Sequence, residues 1–374
     1  MQTVEFDVVV MGSGSAALSA ALRCAVGGLS VVVLEKTSKL GGTSAMSGAG
    51  TWIPANHHAM AAGLDDSPEE ALAYLRAASP EGWKDAEDGL WQAFTRSAPK
   101  MLKFLEQKTP LRFQLTEEPD IIVEAQGGKA KGRMVSPQPL REALMGPYKG
   151  KLRRSTLPHR YTYQEVYDGD LYHTPVRATL RVLPRLVRRI LTGERAQGSA
   201  LIIGLVKGCL DHGCRFELET RVIALDTDET GQITGAVTDG TQGQRRFLAK
   251  RGVVIASGGF EWDAALRDTH FPGPLDNLGS PRSNTGDGQR LAASVGAELA
   301  RMDQANVYPT MPTSYEGQPH GIPLIFQAEP HAIVVNRYGK RFASELDFNI
   351  GEAIDKRDPV TGQPVHLPAW VIAD

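Results

Sequence analysis

The sequence predicts an α/β fold built around parallel strands, and three observations near the N-terminus predict it. The β-branched run 8–10 is typical of a buried strand. A glycine-rich turn follows, and then an Ala- and Leu-rich segment, residues 16–27, with the composition of a helix. Residues 30–34, a serine followed by four apolar residues, predict the next strand. Strand, turn, helix and strand in this order form a Rossmann-like βαβ unit, which in many proteins binds a dinucleotide.

The turn carries the G-x-G-x-x-A form of the dinucleotide fingerprint. Its six residues, all candidate cofactor contacts, are Gly12, Ser13, Gly14, Ser15, Ala16 and Ala17. The glycines permit a tight turn and let backbone N–H groups approach a pyrophosphate, at which the following helix aims its positive end. We therefore expect a Gly14→Val substitution to abolish cofactor binding. A glycine-rich turn with a purely structural role is the alternative interpretation.

Two charged residues close the second strand. Glu35 stands about twenty residues after the glycines, where an acid can accept hydrogen bonds from ribose hydroxyls. Lys36 follows it and is a further candidate cofactor contact.

A second loop of small residues comes next and indicates which nucleotide is bound. Its candidate contacts are Gly41, Gly42, Thr43, Ser44, Ser47, Gly48 and Gly50. A nicotinamide enzyme needs no such loop, whereas a flavoprotein can use it to lay backbone along the pyrophosphate and the flavin ring. FAD is therefore the expected cofactor, and nicotinamide binding is the alternative that this loop argues against.

The stretch EKTSKLGGTSAMSGAGTWIPAN, residues 35–56, resembles the flavin loop of the fumarate reductase and 3-ketosteroid dehydrogenase superfamily. Its ending, residues 52–54, resembles the ketosteroid dehydrogenase branch more than the fumarate reductase branch. In relatives with covalent flavin a histidine stands in this loop, and here the comparable positions are Thr43, Ser44 and Ala45. The resemblance therefore implies FAD that is held non-covalently.

Later motifs resemble the segments that return the chain to FAD in this superfamily. They are the strand and turn 249–259, with the pattern A-[ST]-G-G, and T-G-D-G at residues 285–288. The resemblance implies four further cofactor contacts, at Val222, Ala256, Gly258 and Asp287. Asp287 is expected to cap a helix that runs through residue 300 and to bond the cofactor, and a cap alone is the alternative.

Between these motifs the patterns predict further helices and strands. A Ser-Pro-Glu-Glu start predicts a helix from residue 67 to 78, and apolar spacing predicts another over 86–107. A helix over 200–213, strands over 215–218 and 221–225 and a hairpin at 231–237 follow. Arginines at helical spacing over 181–189 predict an amphipathic helix with a solvated basic face, and a surface for an anionic partner is the alternative.

A second, smaller α+β domain is expected to bind the substrate. We expect residues 1–300 to form the FAD-binding domain and residues 301–374 to form part of a substrate or cap domain. Residues 331–345 resemble the superfamily segment I-x-V-N-x-x-G-x-R-F-x-x-E. Arg341 and Glu345 lie four residues apart, so they could pair if this stretch is helical. A structural ion pair and a substrate contact are both open for Arg341.

Two candidate catalytic positions depart from the superfamily pattern. Ile121 follows a Pro-Asp pair where ketosteroid dehydrogenases commonly carry a tyrosine. Asn349 stands where relatives carry a tyrosine or an arginine that moves a proton. An amide cannot do general acid–base work near neutral pH, but it can donate a hydrogen bond to a carbonyl oxygen. Asn349 is therefore one candidate catalytic residue, and Arg341, with its possible substrate contact, is the other.

The resemblance implies FAD-dependent oxidoreduction at a carbon–carbon bond next to a carbonyl. A small hydrophobic ketone of the steroid type is the expected substrate, and the electron acceptor is not identified. Reduction of an unsaturated carboxylate, as in fumarate reductases, is one alternative, which the absence of the matching arginine disfavours. A catalytically inactive flavin-binding protein is the other.

Composition sets the remaining expectations. The net charge of −2 gives no indication of a nucleic-acid partner or an anionic lipid surface. There is no apolar run of membrane-spanning length. The three cysteines show no metal-like pairing, so we expect no metal site, reduced thiols and a cytoplasmic protein. Residues 368–374 are expected to form a strand entering the core, and because this segment lies mid-chain in the superfamily, we expect a truncated member with weak FAD retention.

Overall fold

A six-stranded sheet organises the first of two compact units into which the chain divides. The computed structural model describes residues 1–374 except 168, 170, 172–173, 272–274, 276, 325–330, 346, 348–349 and 374. The first unit comprises Met1–Gly258 and Asp287–Ala297, and the second comprises Gly259–Gly286 and Glu298–Asp374.

Most strands and helices lie in the first unit. Its strands are β1 (Gln2–Met11), β2 (Val31–Leu34), β3 (Thr51–Trp52), β4 (Phe113–Leu115), β5 (Met134–Pro137), β6 (Leu140–Arg141), β7 (Glu194–Arg195), β8 (Arg215–Glu217), β9 (Thr220–Thr227), β10 (Ile233–Gly240) and β11 (Arg245–Ile255). Its helices are α1 (Ser15–Val26), α2 (Gly42–Met46), α3 (His57–Ala61), α4 (Pro68–Ala78), α5 (Lys84–Lys108), α6 (Tyr163–Tyr167), α7 (Pro175–Thr192), α8 (Gln197–Asp211) and α10 (Asp287–Ser294), with a 3-10 segment at Glu142–Tyr148.

The second unit carries fewer elements. They are α9 (Ala264–His270), α11 (Ile350–Ile354), β12 (Thr310–Tyr315), β13 (Gln318–Pro323), β14 (Ala332–Val335) and β15 (Trp370–Ala373). β12 pairs with β13 and β14 pairs with β15, both antiparallel.

The main sheet has the order β8-β2-β1-β11-β10-β9. Its first four strands run parallel, and β11, β10 and β9 form an antiparallel meander. Both faces of β1 are covered. Val8 and Val10 pack in one apolar cluster with α1 and α8, whereas Val9 packs in another with Phe247. This explains why the run is β-branched throughout rather than alternating. The predicted α/β fold is confirmed.

The predicted elements of the first unit are found, with two differences. The helix that opens at Asp287 ends at Ser294 rather than at residue 300. Gly296 adopts a φ of +86° just beyond it, and the Ala297 N–H turns back to the Ala292 carbonyl. A left-handed glycine of this kind ends a helix because the following residues leave the helical path.

The second difference concerns α7. Its arginines at 181, 185 and 188 are exposed, as a solvated basic face requires. Its buried stripe, however, is Ala178, Val182, Leu186 and Arg189. The apolar residues 180, 183, 187 and 190, which are interleaved with the arginines, are also exposed. Arg189 is buried because it pairs with the Glu165 carboxylate of α6.

The second unit departs from the expected boundary in one segment. Residues 259–286 pack with residues 298–374 rather than with the FAD fingerprint. The expected strand at the C-terminal end is present as β15, but Trp370 and Ile372 are exposed instead of entering a core. The assignment of residues 1–300 and 301–374 to cofactor and substrate stays a prediction. Among the described residues no helix is long and apolar enough to cross a membrane.

Candidate functional site

The first turn is closed by a contact between two backbones. Gly12 follows β1 with a φ of +103°, and a Cβ on it would lie 2.4 Å from the carbonyl oxygen of Ala256. The Ala256 N–H in turn donates to the Met11 carbonyl. Only glycine combines this backbone angle with this approach. The ends of β1 and β11 are thereby held side by side at the carboxyl edge of the sheet, where open α/β sheets bind their ligands.

Ser13 joins the two glycine-rich loops to the end of β2. Its side chain is buried, and its hydroxyl donates to Glu35 Oε2 at 2.5 Å. The Ser13 hydroxyl oxygen also accepts the Gly41 N–H at 3.0 Å. One serine therefore fixes the acid and the start of the second loop in the same place. No sequence pattern indicated this role for Ser13.

Glu35 is buried, and most of the hydrogen-bond acceptor positions of its carboxylate are occupied. Its Oε1 accepts the N–H and the hydroxyl of Thr37, each at 2.9 Å, and its Oε2 accepts Ser13. A carboxylate offers about four acceptor positions. One acceptor position therefore remains beyond these three bonds, which fits a single further hydroxyl such as that of a ribose.

The N-terminal end of α1 lies against the second loop. The Ser15 N–H donates to Ser44 Oγ at 3.1 Å, and the two hydroxyls lie 2.9 Å apart. Gly14 is the N-cap residue, with a φ of −71°, which any residue can adopt. A Cβ on Gly14 would meet Ser44 Oγ at an ordinary 3.5 Å. The expectation that the Gly14 backbone requires glycine is therefore wrong. Valine at position 14 is now disfavoured only because its side chain would occupy the space expected for the pyrophosphate.

The second loop begins with glycines that the backbone requires. Gly41 has a φ of +113°, and a Cβ there would lie 2.6 Å from the Ala45 side chain. Gly42 has a φ of +49°, and it brings the start of α2 close to the first turn. A Cβ on Gly42 would lie 4.0 Å from the Gly14 Cα. Thr43 and Ser44 follow in α2, so the backbone N–H groups of α1 and α2 begin near each other. Such paired helix starts are suited to an anionic group.

The later glycines of this loop lie against an aromatic ring. A Cβ on Gly48 would lie 2.7 Å from the Tyr163 ring, and one on Gly50 would lie 3.0 Å from it. The Tyr163 hydroxyl donates to Glu118 Oε2 at 2.7 Å, and burial raises the pKa of Glu118. These two glycines thus make room for Tyr163. The sequence could not indicate this contact, because Tyr163 lies far from the loop along the chain.

A buried histidine supports the other side of the loop. His159 Nδ1 accepts the Ser199 N–H at 3.3 Å, and the ring also bonds the Met46 backbone. Burial lowers the pKa of His159 to about 4. Gly198, next to Ser199 in α8, packs so tightly that a Cβ would lie 2.1 Å from the Ser44 carbonyl oxygen. His159 is therefore neutral at physiological pH and holds α8 to the loop containing Ser47.

Three charged side chains meet at the end of β2. The buried Asp287 carboxylate accepts Lys36 Nζ at 3.0 Å and binds the Arg221 guanidinium through both oxygens, at 2.9 and 3.0 Å. Val222, buried in β9, follows Arg221, and the Thr220 N–H donates to the Glu35 carbonyl. The predicted contacts Lys36, Val222 and Asp287 are thus brought together beside Glu35. Asp287 is the first residue of α10, and its carboxylate bonds these cations.

The turn after β11 lies next to the start of α10. Gly258 has a φ of +86°, and its carbonyl accepts the Gln289 side-chain amide at 3.2 Å. A Cβ on Gly288 would lie 2.4 Å from Ser257 Oγ. The two motifs that resemble FAD-contacting segments, residues 249–259 and 285–288, therefore pack against each other.

Behind the loop, Asp120 has a structural role. Its Oδ1 accepts the Trp52 indole N–H at 2.7 Å, and its Oδ2 accepts the buried Arg133 guanidinium at 2.7 Å. Arg133 also pairs with Asp66. Ile121, where relatives commonly carry a tyrosine, is 62% exposed. No catalytic function is indicated for Ile121 by these contacts.

The two candidate catalytic residues belong to the second unit. Arg341 pairs with Glu345, whose Oε1 also accepts the Val334 N–H at 2.8 Å. The pair forms without a helix, because residue 341 bridges to Val335 and the chain then bends. Glu345 raises the pKa of Arg341 and holds its charge. These contacts favour the structural ion pair. Asn349 lies outside the described residues.

Comparison with known proteins identifies the family. A model of the FAD binding domain matches residues 7–374. The chain is 37% identical over 381 residues to 4-oxocyclohexanecarboxylate 2-dehydrogenase of Sinomonas cyclohexanicum, covering 99% of this chain and 64% of the relative. It is 33% identical over 397 residues to 3-oxosteroid 1-dehydrogenase of Mycobacterium tuberculosis, covering 100% of this chain and 69% of the relative.

A solved structure is similar over the same extent. The crystal structure of 3-ketosteroid delta1-dehydrogenase from Sterolibacterium denitrificans, in complex with 1,4-androstadiene-3,17-dione, superposes with a TM-score of 0.84 and 30% sequence identity. The match covers 99% of this chain and 69% of that one. The chain thus spans roughly two thirds of the length of such relatives. It belongs to the FAD binding domain family, together with the 3-oxosteroid dehydrogenases, and FAD is its cofactor.

Proposed function

We propose that this protein dehydrogenates a carbon–carbon bond next to the carbonyl of a cyclic ketone. The similarity to two relatives over almost the whole of this chain carries the proposal. The Ser13 junction, which fixes Glu35, Gly41 and the glycine turn at the edge of the sheet, supports the cofactor site that this reaction needs. Both relatives described above are named as dehydrogenases of ring ketones. Bound FAD supplies the acceptor for the hydride that leaves the ring carbon.

The residues of the first unit fit FAD on three independent grounds. Gly12 lets the turn pack against the Ala256 backbone, which holds it at the carboxyl edge of the sheet, where open α/β sheets bind their ligands. The starts of α1 and α2 lie next to each other, and the positive ends of helices favour an anion. Glu35 retains one acceptor position for a hydroxyl. We propose that these groups bind the pyrophosphate and the ribose.

We propose that the flavin is held non-covalently, since Thr43, Ser44 and Ala45 offer no imidazole. Acid precipitation should release all of it. Flavin that stays on the protein pellet would contradict this proposal. The three free cysteines, of which Cys209 and Cys214 are buried, support a reducing, cytoplasmic location.

For the substrate we propose a ketone of the steroid type, and a smaller ring ketone as the second candidate. The second candidate is supported by sequence identity, which is 37% to 4-oxocyclohexanecarboxylate 2-dehydrogenase and 33% to 3-oxosteroid 1-dehydrogenase. Asn349 stays our candidate for the carbonyl contact, whereas the ion pair with Glu345 favours a structural role for Arg341, the other candidate. An Asn349→Ala variant should lose turnover and keep its flavin, whereas an Arg341→Lys variant should act through stability, because Arg341 holds Glu345.

The test is anaerobic bleaching of the bound flavin. We expect loss of the flavin absorption on adding a 3-ketosteroid or 4-oxocyclohexanecarboxylate, and no change on adding succinate. A Glu35→Gln variant is the matched control, since it keeps the shape of the site and should bleach in proportion to the flavin it retains. Flavin that no ring ketone bleaches, but that fumarate reoxidises after chemical reduction, would overturn the proposal in favour of a fumarate reductase.

A further inference from the structure

Two adjacent histidines and a glutamate converge away from the cofactor cradle. His57 Nε2 lies 2.7 Å from Glu106 Oε2, and His58 Nε2 lies 2.9 Å from Glu106 Oε1. The two imidazole rings are tilted by 36° relative to each other, with centroids 4.1 Å apart. One ligand atom from each of the three residues lies within 4.8 Å of the others. We refer to these residues as the His–His–Glu cluster.

Local structure holds the two histidines in place. They form the start of α3, whose N-cap residue Asn56 is fully buried. The Asn56 side chain accepts the Ala59 N–H, and its amide donates to the Ile53 and Gly132 carbonyls. Both histidines are thereby fixed in the first turn of one short helix. Their side chains are directed at the same carboxylate.

The glutamate is held from a different part of the chain. Glu106 lies near the end of α5, 48 residues after His58. Its Oε1 accepts the Phe113 N–H at 2.8 Å, and its backbone carbonyl accepts the Arg112 guanidinium at 2.7 Å. The Glu106 side chain is 11% exposed and the histidines are 30% and 27% exposed. The cluster therefore has a buried floor and an opening to solvent.

The chemistry of this donor set is that of a transition-metal site. Imidazole nitrogens suit zinc, whereas calcium and magnesium prefer oxygen ligands. Three protein ligands with one open position are the arrangement of zinc sites that keep a bound water. With zinc–ligand bonds of about 2.0–2.1 Å, tetrahedral ligand atoms lie about 3.3 Å apart. The observed separations of 2.7 and 2.9 Å need to widen by roughly half an ångström, which side-chain rotation can supply.

We propose that His57, His58 and Glu106 form a zinc-binding site that ties the start of α3 to the end of α5. Zinc bound by the folded chain and not by the unfolded chain stabilises the fold. The site lies one short strand after Gly50, so it would anchor the segment that follows the second glycine-rich loop. The proposal is independent of the reaction that the protein catalyses.

The experiment uses the flavin-bound protein after dialysis against a chelator. Calorimetric titration with zinc chloride should give one site per chain, and the melting temperature should rise as zinc is added. Cobalt chloride should give absorption bands of a four-coordinate site at wavelengths beyond those of the flavin. The Glu106→Gln variant can keep the Phe113 hydrogen bond through its amide oxygen, but it loses the anionic ligand. We expect its zinc affinity to fall at least tenfold.

A second ligand variant and two controls complete the design. His57→Gln should also weaken zinc binding at least tenfold. His331→Ala and Glu69→Gln change an exposed histidine and an exposed glutamate elsewhere, and should bind zinc as the unaltered protein does. Unchanged flavin content and circular dichroism verify that each variant is folded. A folded protein that binds no zinc at millimolar concentration, or whose zinc binding survives both ligand substitutions, would overturn the proposal.

Discussion

The two glycine-rich loops of the cofactor site contain the same residue type for different physical reasons. In the first loop, Gly12 is required by its own backbone angle of +103° and by the Ala256 carbonyl oxygen 2.4 Å from where a Cβ would stand. In the second loop, Gly48 and Gly50 lack side chains because the Tyr163 ring lies against them. One requirement is set by main chain and the other by a distant side chain.

This difference determines how each loop can respond to substitution. Backbone atoms of a buried sheet cannot move aside, so a clash with them must distort the turn. A ring can move, or can be removed by a second substitution. The first loop is therefore a fixed part of the fold, and the second depends on groups that reach it from α6 and α8.

The largest effect is expected for Gly12→Ala, which tests the backbone requirement. Positive-φ strain and overpacking together should cost about 3–5 kcal/mol of the free energy of unfolding and remove bound FAD. Gly28→Ala is the matched control, since Gly28 also has a positive φ, +84°, but no described heavy atom lies within 4 Å of its Cβ position. It should cost only about 1–2 kcal/mol. Equal losses for the two variants in urea unfolding would contradict the backbone requirement at Gly12.

Acid should affect the second loop through His159. Its pKa is lowered from 6.5 to about 4 in the folded state, so below pH 6.5 the unfolded chain binds a proton that the folded chain does not. Stability should therefore be complete above pH 6.5 and fall by about 3 kcal/mol as the pH drops to 4. The measurement is urea unfolding at several pH values for the unaltered protein and for His159→Asn, whose amide oxygen can accept the Ser199 N–H. Parallel pH curves for the two proteins would refute the assignment.

Gly48→Ala tests whether the second loop depends on Tyr163. Its Cβ would lie 2.7 Å from the ring, which should cost about 1–3 kcal/mol. Adding Tyr163→Ala should relieve most of that cost, giving a favourable coupling energy in a double-mutant cycle. Adding Tyr163→Phe should not, because it removes only the hydrogen bond to Glu118 and keeps the ring. Rescue by phenylalanine would mean that the ring is not the obstacle.

The smallest effect on folding is expected for Gly14→Ala. Its backbone is ordinary and its Cβ would make an ordinary 3.5 Å contact with Ser44 Oγ, so the flavin-free protein should lose less than about 1 kcal/mol. Bound FAD should nevertheless fall, since the methyl group occupies the space between the turn and the pyrophosphate. Flavin content and flavin-free unfolding are measured on the same preparation. Full flavin content would remove Gly14 from the binding site.

The α/β fold, the family and FAD as cofactor were predicted from the sequence, and all three are confirmed. The family and FAD came from the second glycine-rich loop and from the resemblance of residues 35–56 and later motifs to the superfamily. The fold was predicted from local patterns: a β-branched strand, glycines at the turn and an acid at the end of β2 all lie within one βαβ unit. Short-range geometry restricts such a unit so strongly that the order of residues is sufficient.

Which groups meet to complete the site depends on tertiary packing. Tyr163, His159 and the Lys36–Asp287–Arg221 cluster join positions far apart in the chain. The buried stripe of α7 was likewise set by the pairing of Arg189 with Glu165, against the apolar pattern. Contacts of this kind depend on which elements pack together, and their energy comes from burial and charge pairing between them. Residue spacing along the chain carries no information about either.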